Sequence, residues 1–144
     1  FKDVQVVAIA GKNQKMQKKF SDLIETTNSS DRIKLLSFTD KVPELMNLAD
    51  IVITKPGGLT ITESLVSKLP IIIINPIPGQ EEENAEFLTQ HGAAVWIKKD
   101  DNIARKLKNL SRNPDIVKEM GEKSEELSKP YSTKDICDIL YKNI

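Results

Sequence analysis

The stretch ITKPGGLTITES, from Ile53 to Ser64, decides the fold class because it joins a strand to a helix through two glycines. A run of β-branched residues stops at Lys55, a proline and Gly57-Gly58 follow, and a helical pattern then begins. Glycine lets the backbone take unusual torsions and lets a ligand come close to the chain. The free N–H groups at the start of the next helix attract anions. The stretch therefore predicts either a phosphate-binding turn or a plain strand-to-helix turn, and taken alone it leaves both open.

Strands and helices alternate along the rest of the chain. Five apolar runs are predicted to be strands, at Val4–Ala10, Ile33–Phe38, Asp50–Thr54, Pro70–Pro76 and Ala93–Ile97. Between them, and after the last one, apolar residues recur at helical spacing. The strands are too apolar for a sheet with one wet face, which indicates an α/β fold with a parallel five-stranded sheet covered on both faces. We expect the strand order 2-1-3-4-5, with ligands bound beyond the carboxyl ends of the strands.

Composition limits the classes of function. The 144 residues contain no linker or repeat, so residues 1–144 are expected to form one domain. Lys plus Arg and Asp plus Glu each number 21, and this zero net charge disfavours a nucleic-acid partner. The longest apolar run, Leu69–Ile74, is too short to span a bilayer, and no Cys/His cluster suggests a metal site. The start at Phe1, without methionine, leads us to expect an excised domain.

Glu63 lies one turn inside the helix that follows the two glycines. At 100° per residue, one arc of this helix is mostly apolar, made of Leu59, Ile61, Thr62, Leu65 and Val66. The opposite arc is polar, made of Thr60, Glu63, Ser64 and Ser67. A carboxylate there can accept hydrogen bonds from paired hydroxyls such as a ribose diol. The alternative is an acidic residue favoured by the helix dipole, and both readings stay open.

A second turn, PIPGQEEEN at Pro76–Asn84, follows the next strand in the same way. Prolines close the strand, Gly79 turns the chain, and Gln80 and Glu81 begin a helix. Amide and carboxylate groups at this place suit the hydroxyls of a neutral sugar. The alternative is the preference of helix starts for acids, which explains Glu82 and Glu83 well and Pro78, Gly79 and Gln80 less well.

Two residues with reactive side chains are given structural roles. His91 precedes a glycine at a helix end and is expected to cap that end. Cys137 is expected to pack among apolar neighbours of the last helix. That helix, Ser132–Tyr141, carries an apolar stripe that we expect to be buried on its own domain or by another copy; the stripe is formed by Ile136, Ile139 and Leu140.

Together these junctions resemble the C-terminal half of a glycosyltransferase family. The family includes the diacylglycerol glycosyltransferases, the monogalactosyldiacylglycerol synthases and the N-acetylglucosaminyltransferase that makes the peptidoglycan lipid intermediate. The resemblance runs from VVAIAGKN to AAVWI and is most specific over Ala49–Leu88. The pairing of KPGGLTITE with PIPGQEEEN is most similar to the bacterial processive glucosyltransferases of the diacylglycerol branch. It implies a Rossmann-like domain that forms the C-terminal half of a GT-B fold and holds a UDP-sugar.

The resemblance also implies roles for individual residues. The diphosphate would lie against Gly58, Leu59 and Thr60, and the ribose hydroxyls against Glu63. Uracil would lie beside Phe38, and Lys55 stands where the peptidoglycan branch has an arginine. The sugar hydroxyls would meet Gln80 and Glu81, supported by Asn84, and the cleft would be lined from the first strand by Gly11 and Asn13. The full candidate set is Gly11, Asn13, Phe38, Lys55, Gly57, Gly58, Leu59, Thr60, Glu63, Gly79, Gln80, Glu81 and Asn84.

The implied activity belongs to a longer protein. It would be an inverting hexosyltransferase that moves glucose or galactose from UDP-glucose or UDP-galactose to diacylglycerol, without metal or cofactor. The lipid acceptor and the catalytic base would belong to an N-terminal domain absent here, so this chain alone would be inactive. The protein would be cytoplasmic and peripheral on the inner face of the cell membrane. The alternatives are half of a UDP-sugar 2-epimerase and a stand-alone nucleotide-binding module.

Overall fold

The computed structural model describes residues 4–142, so Phe1, at which an excised domain was expected, lies outside the described residues. Strands and helices alternate as the sequence predicts, and each predicted element is present. The first half of the order is β1 Val6–Ile9, α1 Gln14–Thr26, β2 Ile33–Leu36, α2 Val42–Leu48, β3 Val52–Thr54 and α3 Gly58–Val66. The second half is β4 Ile71–Ile74, α4 Gln80–Gln90, β5 Ala94–Ile97, α5 Ile103–Arg112, α6 Pro114–Leu127 and α7 Ser132–Lys142.

The chain divides into two compact units, Phe1–Val42 and Pro43–Ile144. In the first unit β1 and β2 are parallel, and in the second the order is β3-β4-β5, also parallel. The parallel α/β class is confirmed, but the strands form a two-stranded and a three-stranded sheet rather than one ladder of five. The adjacency of β1 and β3, and the single domain, stay predictions.

Strand β1 is present, but its burial on both faces was a wrong prediction. Val6, Val7 and Ile9 are 43 to 47% exposed. Helix α1 packs on β2, where Ile24 is buried. One neighbouring strand and one helix in the unit cannot cover both faces of β1, so its apolar side chains stay open.

Strand β4 is the centre of the second unit. Ile71, Ile72 and Ile73 are completely buried, as expected for a parallel strand covered on both faces. Because side chains alternate along a strand, Ile71 and Ile73 join one cluster and Ile72 joins another. The first cluster includes side chains of α3 and α4, and the second includes Leu110 of α5 and Met120 of α6. The first cluster fixes α3 and α4, the two helices whose first turns form the candidate site.

The buried face of α3 differs from the predicted arcs. Ile61, Ser64 and Leu65 are buried, whereas Leu59 is 84% exposed and Val66 is 45% exposed. Ser64 can be buried because its hydroxyl donates to the Thr60 carbonyl, with the two oxygens 2.7 Å apart. Ser64 therefore lies in the core, although the predicted arcs placed it on the polar face of the helix.

Helix α6 approaches the chain closely where α3 ends. A Cβ added to Gly121 would lie 2.9 Å from the Lys68 carbonyl oxygen. Lys68 has φ of +56°, and the Ser124 hydroxyl donates to the Leu69 carbonyl at 2.9 Å in a buried hydrogen bond. Gly121 is therefore required by close packing, and the contact holds the end of α3 that is opposite the candidate site.

The last helix is uncovered. The predicted break at Lys129-Pro130 is confirmed, since α6 ends at Leu127 and α7 begins at Ser132. None of the α7 side chains is buried, and the expected stripe is 59 to 61% exposed at Ile136, Ile139 and Leu140. Cys137 is exposed as well. Burial of the stripe on its own domain and burial of Cys137 were therefore wrong predictions, because α7 contributes to neither core cluster, and burial of the stripe by another copy stays a prediction.

Candidate functional site

The N-terminus of α3 presents backbone N–H groups without acceptors. Gly57 is the N-cap residue and supplies no side-chain cap, and the first helical hydrogen bond runs from Ile61 N to Gly57 O at 3.0 Å. The N–H groups of Gly58, Leu59 and Thr60 therefore have no acceptor within residues 4–142. With the positive end of the helix dipole, this turn can bind an anion.

The two glycines at this turn are not required by the fold of the chain. Gly57 has φ of −70° and ψ of 141°, which any residue adopts, and Gly58 is not in the left-handed region. The expectation of unusual torsions is therefore wrong. A Cβ on Gly58 would meet nothing within 4 Å, and one on Gly57 would lie 3.9 Å from Glu81 Oε1. What glycine provides is open space over the free N–H groups, and this favours the ligand-binding turn over the plain turn.

Glu63 lies one turn beyond Thr60 on α3 and is exposed. Its carboxylate has no hydrogen bond or ion pair in the described part of the chain, so both oxygens can accept from a ligand. Lys55 and Leu59 are also exposed, on the loop before α3 and on its first turn, and Thr60 is half-buried. The first turns of α3 thus present N–H donors and a carboxylate acceptor, and the loop before them presents the cation of Lys55.

The second loop, between β4 and α4, begins and ends at residues with positive φ. Asn75 has φ of +44° and Gly79 has φ of +97°, and two prolines lie between them. The Ile77 N–H donates to Glu81 Oε2 at 2.7 Å. Glu81 thus holds its own loop, whereas the exposed side chain of Gln80 has no partner among residues 4–142. The positive φ of Asn75 was missed in the sequence, although asparagine is a common non-glycine residue in this conformation.

The two loops come together in the structure. Asn84 Nδ2 donates to the Pro56 carbonyl at 3.0 Å, across 28 residues of sequence. Asn84 and Gly58 line one cavity of about 210 Å³, together with Thr62 and Phe87. The two loops are therefore adjacent in the second unit, but of the candidate residues only Gly58 and Asn84 line this cavity.

The remaining candidates lie in the first unit. Gly11 has φ of +57°, and its carbonyl accepts a hydrogen bond from Gln17 Nε2 at 2.6 Å. Asn13 is the N-cap of α1 and accepts from Met16 N at 3.0 Å, a local role that the sequence analysis did not assign. Phe38 is 67% exposed, with Lys12 Nζ 5.4 Å from its ring centroid. A shared site for these residues and α3 stays a prediction.

Other sequence predictions concern capping, metals and membranes. His91 is the C-cap of α4, with Nδ1 2.8 Å from the Phe87 carbonyl, and Gly92 has φ of +76°, which confirms its capping role. Within residues 4–142, no group of three or more His, Cys, Asp and Glu side chains is placed to hold a metal ion. Within the same residues, no helix has both the length and the apolar character needed to cross a bilayer.

The fold and the candidate site together indicate the class of protein to which the chain belongs. Parallel strands, with two adjacent helices whose first turns are uncapped by side chains and lie beyond the strand ends, are typical of α/β domains that bind phosphorylated ligands. The chain belongs to glycosyltransferase family 28, because residues 2–136 match the C-terminal domain of that family. This confirms the resemblance stated from the sequence.

Curated relatives and solved structures agree with this assignment. The chain is 35% identical over 136 residues to the processive diacylglycerol β-glucosyltransferase of Bacillus pumilus (strain SAFR-032), covering 94% of the chain and 35% of the relative. It is 33% identical over 139 residues to the enzyme of the same name from Bacillus subtilis (strain 168), covering 96% and 36%. The chain therefore spans about a third of the length of these relatives.

Solved structures establish the fold. MurG of Acinetobacter baumannii superposes with a TM-score of 0.75 at 22% identity, over 97% of this chain and 42% of MurG. Anabaena Alr3699/HepE, solved in complex with UDP, gives 0.71 at 17% identity, over 96% and 41%. The fold is the C-terminal half of a GT-B glycosyltransferase, as predicted.

Proposed function

We propose that this chain is the UDP-sugar-binding half of an inverting hexosyltransferase that moves glucose or galactose to diacylglycerol in glycolipid synthesis. The observation that carries the proposal is the uncapped first turn of α3, whose free N–H groups lie next to the unpaired Glu63 carboxylate. The name of the Bacillus relatives supports a lipid acceptor and favours glucose over galactose.

In this proposal the chain binds and orients the donor. The N–H groups of Gly58, Leu59 and Thr60 hold the diphosphate, and Glu63 accepts from the ribose hydroxyls. Gln80 meets the sugar, since Glu81 is already bonded to its own loop. As the bond to the sugar breaks, negative charge grows on the departing UDP, and the same N–H groups stabilise it without a metal or cofactor. The remainder of the longer protein supplies the acceptor site and the base.

The setting proposed for the longer protein is the cytoplasm, bound peripherally to the inner face of the cell membrane. The acceptor is a membrane lipid and the donor is a soluble nucleotide sugar, so the reaction requires a surface where both meet.

The test is an activity assay on the longer protein that carries this chain. It is incubated with UDP-glucose or UDP-galactose, with and without diacylglycerol in detergent micelles, and UDP release and glycolipid are measured. We expect UDP release that depends on diacylglycerol, that falls roughly tenfold in Glu63→Ala at low UDP-sugar concentration, and that is kept in the control Glu83→Ala, an exposed glutamate on α4. Conversion of the UDP-sugar without lipid would support a 2-epimerase, and binding without turnover would support a nucleotide-binding module.

A further inference from the structure

Helix α4 reaches back to the loop before α3 through one side chain. Asn84 Nδ2 donates to the carbonyl oxygen of Pro56 at 3.0 Å. Pro56 is almost completely buried and Asn84 is half-buried, so the hydrogen bond is shielded from water on part of its surface. The contact joins the proposed sugar-binding helix to the proposed diphosphate-binding loop.

This hydrogen bond fixes one peptide plane of the loop. The described residues contain no cis peptide bond, so the Gly57 N–H points away from the Pro56 carbonyl and from Asn84. That N–H has no acceptor within residues 4–142, like those of Gly58, Leu59 and Thr60. The orientation of the Pro56 carbonyl therefore also sets the direction of the first donor in the row.

The other hydrogen bonds of the loop do not fix this peptide plane, because the Ile61 N–H holds only the next carbonyl, that of Gly57. Gly57 and Gly58 have no side chains, and glycine gives the backbone its widest freedom. Pro56 restricts its own φ and the backbone of Lys55 before it, but not the peptide plane that follows it. The Thr54 hydroxyl donates to the Lys55 carbonyl at 3.2 Å, which is the carbonyl one residue before that of Pro56. Among residues 4–142, the hydrogen bond that holds the peptide plane between Pro56 and Gly57 is the one from Asn84.

We propose that Asn84 is a positioning residue for the diphosphate half of the site. It holds the Pro56–Gly57 peptide so that the N–H donors of the turn are fixed before the ligand arrives, which lowers the conformational entropy lost on binding. The inference rests on the proposed function, and it moves Asn84 from support of the sugar to support of the diphosphate. Glu81, three residues earlier on α4, accepts from the Ile77 N–H of the other loop. One face of α4 therefore holds both the diphosphate-binding loop and the sugar-binding loop.

The experiment compares two ligands in the 144-residue chain. The dissociation constants of UDP and of UDP-glucose are measured by calorimetry for the wild type and Asn84→Ala. The control is Gln90→Ala, which removes an exposed amide from the far end of the same helix. Thermal unfolding followed by circular dichroism shows that each variant is folded. Should Asn84→Ala not fold, Asn84→Ser, which keeps a shorter donor, replaces it.

We expect Asn84→Ala to weaken UDP and UDP-glucose binding by the same factor, roughly three- to tenfold, which corresponds to one lost hydrogen bond. Asn84→Ser should lose no more than Asn84→Ala, again equally for both ligands. The ¹⁵N order parameters of the Gly57 and Gly58 amides in the unliganded protein should be lower in the Asn84 variants than in Gln90→Ala, a change that a role in reading the sugar would not produce.

Three results would overturn the inference. A loss confined to UDP-glucose would make Asn84 a residue that reads the sugar. Unchanged affinity for both ligands, in a folded variant, would mean that the Asn84 amide only supplies a hydrogen-bond partner to the Pro56 carbonyl and has no effect on ligand binding. A wild-type chain that binds neither ligand would remove the proposed function itself, and the inference with it.

Discussion

Replacement of Glu63 by alanine tests the ribose role most selectively. The side chain is exposed, belongs to neither core cluster and has no partner in the described part of the chain, so its removal should leave the fold intact. A hydrogen bond to a charged group contributes about 1.5–3 kcal/mol. Because the carboxylate is exposed to solvent, we expect the lower end of this range, which is roughly a tenfold weaker UDP affinity.

Calorimetry with two ligands separates this role from a general effect of charge. UDP and 2′-deoxy-UDP are titrated into the wild type, Glu63→Ala and the control Glu83→Ala. In the wild type, 2′-deoxy-UDP should bind more weakly than UDP, and Glu63→Ala should remove most of that difference, since the variant can no longer tell the two ligands apart. Glu83→Ala should leave both affinities unchanged.

The reasoning on Glu63 is refuted by either of two results. Unchanged UDP affinity in a folded Glu63→Ala protein would return the residue to the helix-dipole reading. Equal losses for UDP and 2′-deoxy-UDP would mean that the carboxylate acts on the turn and not on the ribose.

Three further predictions concern the sugar, the packing and the metal. Gln80→Ala should weaken UDP-glucose binding several-fold and leave UDP binding unchanged, as calorimetry measures; equal losses would argue against contact with the sugar. Gly121→Ala should lower the free energy of unfolding by about 1–3 kcal/mol, because its Cβ would lie 2.9 Å from the Lys68 carbonyl. Urea unfolding tests this, with Gly58→Ala, whose Cβ meets no atom within 4 Å, as the less affected control. Sugar transfer by the longer protein should persist in excess EDTA, and complete loss that magnesium restores would contradict the metal-free proposal.

Local patterns predicted much of this fold because they depend on neighbouring residues. The alternation of strands and helices, the break before Ser132 and the cap at His91 all follow from periodicity, proline and glycine. Burial was predicted less well, since it depends on what covers a surface. β1 and α7 have the apolar patterns of buried elements, yet Val7 is 47% exposed and Ile139 is 61% exposed.

The candidate site likewise has features that the local sequence predicts and features that depend on packing between distant residues. The free N–H groups of α3 and the turn at Gly79 follow from the sequence. The Asn84–Pro56 hydrogen bond joins residues 28 positions apart and depends on how α4 packs against α3, which no local pattern contains. The burial of Ser64 likewise depends on a hydrogen bond within the helix that a polarity scale does not represent.

The central claim is that the first turn of α3 binds the diphosphate of a UDP-sugar. The most direct measurement is a titration of the ¹⁵N-labelled chain with UDP in metal-free buffer, followed by the backbone amide signals. We predict saturable shifts at Gly58, Leu59 and Thr60, with smaller shifts along α6 and α7. Saturable binding that leaves these three amides unmoved, or no saturable binding at all, would contradict the account.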